Sequence, residues 1–181
     1  QGEGGLMSLT GESDGDPMKV GVALVDVMAG LYSCNAILAS LMAKDKINKG
    51  QHIDISLLDV QAATLANQGM NFLATKNNPN RHGNAHPNIV PYQTFKTLDG
   101  RIILAIGNDG QFSKFCEFAE CTHLSADPKY SSNENRVKNR RSLIPTLIKV
   151  MKSNTTMWWI EGLEGIGVPC GPVNNLAQVF G

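Results

Sequence analysis

The chain has 181 residues, with 16 Lys plus Arg set against 16 Asp plus Glu, so its formal net charge is zero. Charged residues are 18%, below the ordinary share of about a quarter, while apolar residues reach 42%, enough for a core. Wholesale disorder is therefore excluded, and charge balance argues against a nucleic-acid protein held by phosphate contacts.

The length suits one domain, or one and a half. The opening residues lack the basic start and apolar stretch of a signal peptide. The first residue is Gln, and residues 178–181 carry no obvious stop, so a partial chain is expected. Cys34, Cys116, Cys121 and Cys170 contain no C-x-x-C spacing. That pattern fits reduced thiols in a cytoplasmic protein better than a disulfide framework.

Residues 1–19 are rich in Gly, Ser and Asp and read as loop. Across 20–43 the only charge is Asp26, and Ala and Leu predict a buried helix over 26–44. Gly30, Ser33 and Asn35 interrupt it too often for a good membrane span. Residues 51–57 alternate, with Ile53, Ile55 and Leu57 opposite His52, Asp54 and Ser56, which predicts a half-buried strand. A second buried helix is predicted over 58–75. Two nearly uncharged helices need cover, part of it from another chain or a missing segment.

A sixteen-residue polar loop follows over 76–91, longer than ordinary connections and of a length often functional. Two strands, 92–97 and 101–106, flank an Asp-Gly turn. Asp109 is expected to cap a helix over 111–120. Residues 133–153 read as two amphipathic pieces, with Pro145 turning or kinking the second. Thr155 or Thr156 caps a helix through Leu163, Gly165 and Gly167 stop it, and Asn174 caps a last short helix.

Several residues carry candidate chemistry. Asp26 is an isolated carboxylate at a predicted helix start, so it is either a plain N-cap or a nucleophilic or acid-base group. The loop over 81–88 collects His82, His86, Arg81, Asn84 and Asn88. Its histidines are four apart, but Gly83 and Pro87 oppose the helix that a zinc pair would need. It is a substrate loop or a solvated one. The 107–110 loop lies between a strand and a helix and could bind an anion through its amides. It lacks the G-x-G-x-x-G of a dinucleotide site. Cys116, Cys121 and His123 read as core thiols and a surface imidazole. Arg136, Lys138, Arg140 and Arg141 read as a solvated helix face. At least one of Trp158 and Trp159 is expected in the core.

Six blocks in order resemble the class III CoA-transferase family: GGLMSLTG at 4–11, PMKVGVALVDVMAGLY at 17–32, NKGQHIDISLLD at 48–59, RHGNAHPNIVPYQTF at 81–95, DGRIILAIGNDGQF at 99–112 and GVPCGPVNNLAQVF at 167–180. The resemblance covers essentially the whole chain and is nearest the dicarboxylate-using branch. It implies an α/β fold: the end of a Rossmann-like large CoA-binding domain over 1–75, a linker and active-site loop over 76–91, and a small α+β domain over 92–181, incomplete at its end.

The resemblance also implies a reaction. Asp26 would attack an acyl-CoA thioester to give an aspartyl anhydride, then an aspartyl-CoA thioester, and finally pass CoA to an acceptor acid. Coenzyme A is a substrate carrier, and no metal takes part. Implied substrate contacts are Gly83, Asn84, His86, Asn88, Asn108, Asp109 and Gln111. Some members have a glycine-rich loop where this chain has His86, Pro87, Asn88 and Ile89, so His86 or Asn88 is expected to touch substrate instead. Implied partners are an acyl-CoA and a small carboxylic or dicarboxylic acid, in an interlocked homodimer, with neither nucleic acid nor membrane. The location is cytoplasmic, or mitochondrial in a eukaryote. Two alternatives stand beside this reading. One is a 2-methylacyl-CoA racemase of the same fold, which carries a Glu-Pro-Gln-Phe type segment where this chain has Asp109, Gly110, Gln111 and Phe112, a difference that favours the transferase. The other is a non-catalytic fragment or assembly module.

Overall fold

Burial alternates along 101–106, and its inward positions, Ile102, Leu104 and Ile106, build the centre of the main core. In the computed structural model, which describes residues 1–181, the chain forms two units, Gln1–Gly83 and Asn84–Gly181.

The second unit holds a three-stranded antiparallel sheet in the order β1 (Tyr92–Lys96), β2 (Arg101–Ala105), β3 (Cys170–Pro172). Tyr92 pairs with Ala105 and Lys96 with Arg101, around the Asp99-Gly100 turn. Ile103 pairs with Gly171. Ile102 and Leu104 point into the core with Phe95, while Arg101 and Ile103 face outward. Helices then cover the buried face, and the numbering here counts the four helices of the first unit. They are α5 (Asp109–Phe118), α6 (Thr122–Ala126), α7 (Asn133–Lys138), α8 (Arg140–Met151) and α9 (Thr156–Gly165), with α10 (Leu176–Phe180) at the end.

Phe112, Phe115, Leu143, Leu147, Met151, Trp159 and Leu163 fill the layer between helices and sheet. Trp159 is buried, and its indole N–H donates to the Met151 carbonyl at 2.9 Å, so no polar atom is stranded there. Trp158 stays half-exposed and stacks on Phe118.

Some local expectations change. Asn108, not Asp109, caps α5, accepting from the Gln111 N–H at 2.9 Å. Asn175, not Asn174, caps α10. Pro145 lies inside α8 without ending it. It withdraws the donor for the Arg141 carbonyl, and both residues are exposed, so water can serve that group. Arg136 is fully buried, against the expectation of a solvated basic face.

The first unit holds α1 (Leu6–Leu9), α2 (Leu24–Ile47), α3 (Leu57–Ala63) and α4 (Ala66–Thr75). Several expectations fail here, the first being that residues 1–19 are loop throughout, since Leu6–Leu9 form the short helix α1. Residues 51–56 form no strand, because their alternation meets no partner strand. The predicted helices are not buried: in α2 the one buried residue is Ala29. Leu31, Leu38, Leu41 and Met42 are all more than half exposed. The helix predicted over 58–75 also breaks at Thr64 and Leu65, where the Thr64 hydroxyl takes the Gln61 carbonyl at 2.8 Å. By length and composition alone, the 24-residue α2 is long and apolar enough to cross a membrane. Its polar interruptions do not lower its hydropathy far enough to exclude that by arithmetic.

The contrast between units gives a stability prediction. Leu147→Ala removes a fully buried side chain and is expected to cost about 2–5 kcal/mol. Leu38→Ala in this chain changes stability by less than about 0.5 kcal/mol, because its side chain is already in water. Urea unfolding of the two variants measures the difference.

Candidate functional site

Asp26 sits in the first turn of α2, three residues into the helix rather than at its cap. The cap position is Ala23, which supplies no side-chain acceptor. The first-turn amides therefore lack a capping side chain, and a carboxylate here gains from those donors and from the helix dipole. Asp26 is exposed. It lines a cavity of about 310 Å³ together with Gln1, Gly4, Leu57, Leu58 and Gln61, among others.

The walls of this cavity are held by local hydrogen bonds. Gln1 accepts from the Val20 N–H at 2.8 Å and donates to the Val22 carbonyl at 3.2 Å, fixing the approach to α2. Gln61 is buried under Gly4, where an added Cβ would lie 2.2 Å from its Cγ. The Gln61 carboxamide donates to Thr64 Oγ1 at 3.2 Å, and its Oε1 has no partner.

Gly83 belongs to the same unit. Its φ is +57°, and an added Cβ would lie 2.7 Å from a Glu12 carboxylate oxygen. Its N–H donates to the Gly11 carbonyl at 2.9 Å. Arg81 also ties the loop down through the Glu12 and Gly15 carbonyls. The demand on Gly83 is conformational, since any side chain would be both strained and blocked.

The remaining candidates, Asn84, His86, Asn88, Asn108, Asp109 and Gln111, lie in the second unit. His86 stacks on Tyr92 with ring centroids 5.3 Å apart. Its Nδ1 accepts from the Asn88 N–H at 3.1 Å, which requires that nitrogen to be unprotonated. Arg140 donates to the carbonyls of His86 and Pro87. Burial first, and the Arg140 guanidinium second, hold the His86 imidazole below its ordinary pKa.

The other loop is similarly self-bound. Asn108 Oδ1 accepts from the Gln111 N–H, and Gln111 Oε1 accepts from the Gly107 N–H at 2.8 Å. Backbone donors fix both oxygens, so the two carboxamides present their NH₂ groups as donors. Asp109 Oδ1 lies 2.8 Å from Arg136 Nη2, close enough for an ion pair but off the angle of a hydrogen bond.

Arg136 also joins the two loops. Its Nε donates to the Val90 carbonyl at 2.7 Å and its Nη1 to the Tyr130 carbonyl at 3.0 Å. Asn133 adds a second tie, accepting from the Val90 N–H and donating to the Asn88 carbonyl. The structure thus brings 86–90 and 107–111 onto one brace.

No group of three or more His, Cys, Asp or Glu could hold a metal ion. Cys116 and Cys121 are core thiols. The Cys116 thiol is pushed up by its hydrogen bond with Cys121 and by burial.

A family profile described as CoA-transferase family III matches residues 1–181. The chain belongs to CoA-transferase family III. The succinate–glutarate CoA-transferase of Agrobacterium fabrum is 44% identical, over 99% of this chain and 45% of that protein. The succinyl-CoA:glutarate CoA-transferase of Homo sapiens is 43% identical, over 97% of this chain and 40% of that protein. A solved CaiB/BaiF family protein from Brucella suis matches with TM-score 0.79 and 47% identity, covering 99% of this chain and 48% of the other. A Mycobacterium tuberculosis structure at 22% identity, with TM-score 0.85, shares the fold. The chain thus spans less than half the length of these relatives.

Within this family III chain, reading the sequence missed Arg136, Asn133 and Arg140 as loop-holding residues. A signal was available: they are spaced three and four apart, as on one helical face. It also missed Gln1 and Gln61 in the Asp26 cavity, for which nothing in the local pattern stands out.

The His86 arrangement predicts a pH dependence. The folded pKa is depressed, so the unfolded chain takes up the proton first as pH falls. His86 costs no stability above about pH 6.5, and stability is lost as pH drops below that value toward the lower folded pKa. His86→Gln is expected to flatten this part of the profile. Tm measured from about pH 7.5 to about pH 5 checks it.

Proposed function

We propose that the whole protein moves CoA from an acyl-CoA thioester to a small dicarboxylic acid, with Asp26 as the covalent nucleophile. The observation that carries this reading is the placement of Asp26. It is a carboxylate in the first turn of a long helix, facing a cavity, with no cation paired to it. A carboxylate tied into an ion pair is a poor nucleophile, whereas one without a paired cation keeps its lone pairs available for attack.

The chemistry runs in balanced steps. An Asp26 oxygen attacks the thioester carbonyl, the C–S bond breaks, and CoA leaves as thiolate with a mixed anhydride on Asp26. The thiolate attacks the aspartyl carbonyl, releasing the donor acid as carboxylate and forming aspartyl-CoA. The acceptor carboxylate then attacks that thioester, giving a second anhydride and free thiolate. Attack of the thiolate on the acceptor acyl carbon yields the new acyl-CoA and restores Asp26. Water would hydrolyse either anhydride, so the site must be closed during turnover.

The acid class rests on two supports. The relatives named above act on succinyl-CoA or succinate and glutarate by name. The 107–111 loop offers carboxamide NH₂ groups from Asn108 and Gln111, donors that suit a carboxylate. No observation favours the racemase reading, and Asp109 is already engaged by Arg136 rather than free as a base. Residues 1–75 are assigned to the end of the large CoA-binding domain, 76–91 to the linker and loop, and 92–181 to the small domain. The exposed apolar side of α2 is assigned to cover by protein, from the rest of the chain and a second copy in a homodimer, rather than by lipid. CoA is the substrate carrier, no metal is required, and the cysteine pattern suits the cytoplasm.

In the full-length protein, incubation with succinyl-CoA is expected to leave a succinyl or CoA adduct on Asp26, read by peptide mass spectrometry. Asp26→Ala is expected to lower kcat by at least about 10⁴-fold. Full turnover by that variant would sink the nucleophile. Exchange of a C2 proton in a 2-methylacyl-CoA, without CoA transfer, would point to the racemase instead. The 181-residue chain alone is expected to turn over neither substrate.

A further inference from the structure

We infer that Arg136 is a positioning residue for acid recognition: it holds and neutralises Asp109, so that the 107–111 loop can receive an anionic acceptor. The inference rests on the reading that this loop meets the acid. Two nitrogens of Arg136 are hydrogen-bonded and the third is ion-paired. Nε and Nη1 go to the Val90 and Tyr130 carbonyls, and Nη2 faces Asp109 at 2.8 Å. The guanidinium carbon lies 4.5 Å from the Phe112 ring centre, a cation–π contact. Arg136 is fully enclosed, while the Asp109 side chain is 55% exposed.

That asymmetry matters for function. A core needs no permanent cation for packing alone, because burying one is costly unless it is paired. Here the guanidinium reaches from inside the core to a carboxylate at the surface of the loop. Asp109 is the only ionisable residue between Gly107 and Gln111. Its neighbours, Asn108 and Gln111, have both side-chain oxygens turned to backbone N–H groups, so they present donors. Donors attract an acid, and an unpaired Asp109 among them would repel it. Arg136 removes that conflict without placing a second flexible cation in the loop. It also ties the same loop to Val90, next to the Asn88 and His86 segment.

A merely structural arginine and a charge-compensating one make different predictions. The test uses the full-length protein, with succinyl-CoA as donor and glutarate as acceptor. Asp109→Asn removes the repelling charge and leaves the buried cation, so glutarate KM is expected to fall about threefold. Arg136→Met leaves Asp109 uncompensated, and glutarate KM is expected to rise about tenfold. Adding Asp109→Asn to Arg136→Met is expected to return KM to within about threefold of the parent.

A double variant whose KM stays about tenfold high overturns the inference, because a structural defect is not rescued by removing a charge. So does Asp109→Asn with an unchanged or raised KM, and that result decides the matter even where Arg136→Met does not fold. Where turnover is absent, the calorimetric Kd of glutarate reads the same ratios, and no binding by the parent overturns the inference. The Asp26 adduct is a separate readout, so loss of the nucleophile and loss of this inference are distinguishable.

Discussion

A guanidinium sealed inside a core is an expensive object, and the second unit is arranged around one. Removing an ion from water costs several kcal/mol even after relaxation. Arg136 offsets that cost with two backbone carbonyls, a carboxylate and an aromatic face. These partners come from three places: the entry to β1, the turn before α7, and the start of α5. A lysine has no planar fork and could not hold the same three directions at once. The entry to β1 and the start of α5 therefore cannot shift independently of each other. That is the physical reason the 86–90 and 107–111 segments have fixed shapes while being loops.

The first unit is governed by a missing condition rather than a made contact. α2 presents Leu31, Leu38, Leu41 and Met42 to solvent. Full burial of a leucine is worth about 1.5–3 kcal/mol, and each of these, little more than half exposed, forgoes part of it. A helix of this kind is stable only when covered, and relatives more than twice as long have the remaining chain to supply cover. Asp26 shares this situation. Its carboxylate stands at the helix start with its cavity half walled by loop residues tied down through Gln1. On the proposed reading, the covering that buries the leucines also dries the carboxylate, so assembly and nucleophilicity have one cause.

Legibility in the sequence followed locality. Two short strand segments, 92–97 and 101–106, on either side of the Asp-Gly turn located the hairpin, because strand and turn signals are short-range. At least one of Trp158 and Trp159 and the thiols Cys116 and Cys121 were expected in the core, and Trp159 and both thiols are buried there. Failures came where distant contacts decide. The alternating 51–57 segment has the pattern of a strand and no neighbour to pair with. Thr64 breaks a helix by taking a carbonyl, an option propensity averages hide. Arg136 looked solvated because four basic residues in six suggest a wet face, and only the fold shows which of the four turns inward. Of the candidate site, residue types and order were legible. The division of labour between Asn108 as cap, Asp109 as ion-pair partner and Gln111 as loop clasp was not.

On the proposed reading, that division of labour bears on how the acid is bound and still released. A loop that met a dicarboxylate with a free arginine would hold it by charge-assisted, bidentate contacts, among the strongest available. Such a contact binds substrate and product acids alike and does nothing for the chemical step. Neutral carboxamide donors are weaker, roughly half as strong as charge-assisted ones. They suffice if no nearby charge opposes the ligand. Placing the cation beneath the loop, paired to Asp109 and to backbone, meets that condition while keeping the arginine away from the ligand. The rigidity it gives the loop costs nothing at the moment of binding, because the order is already built into the core.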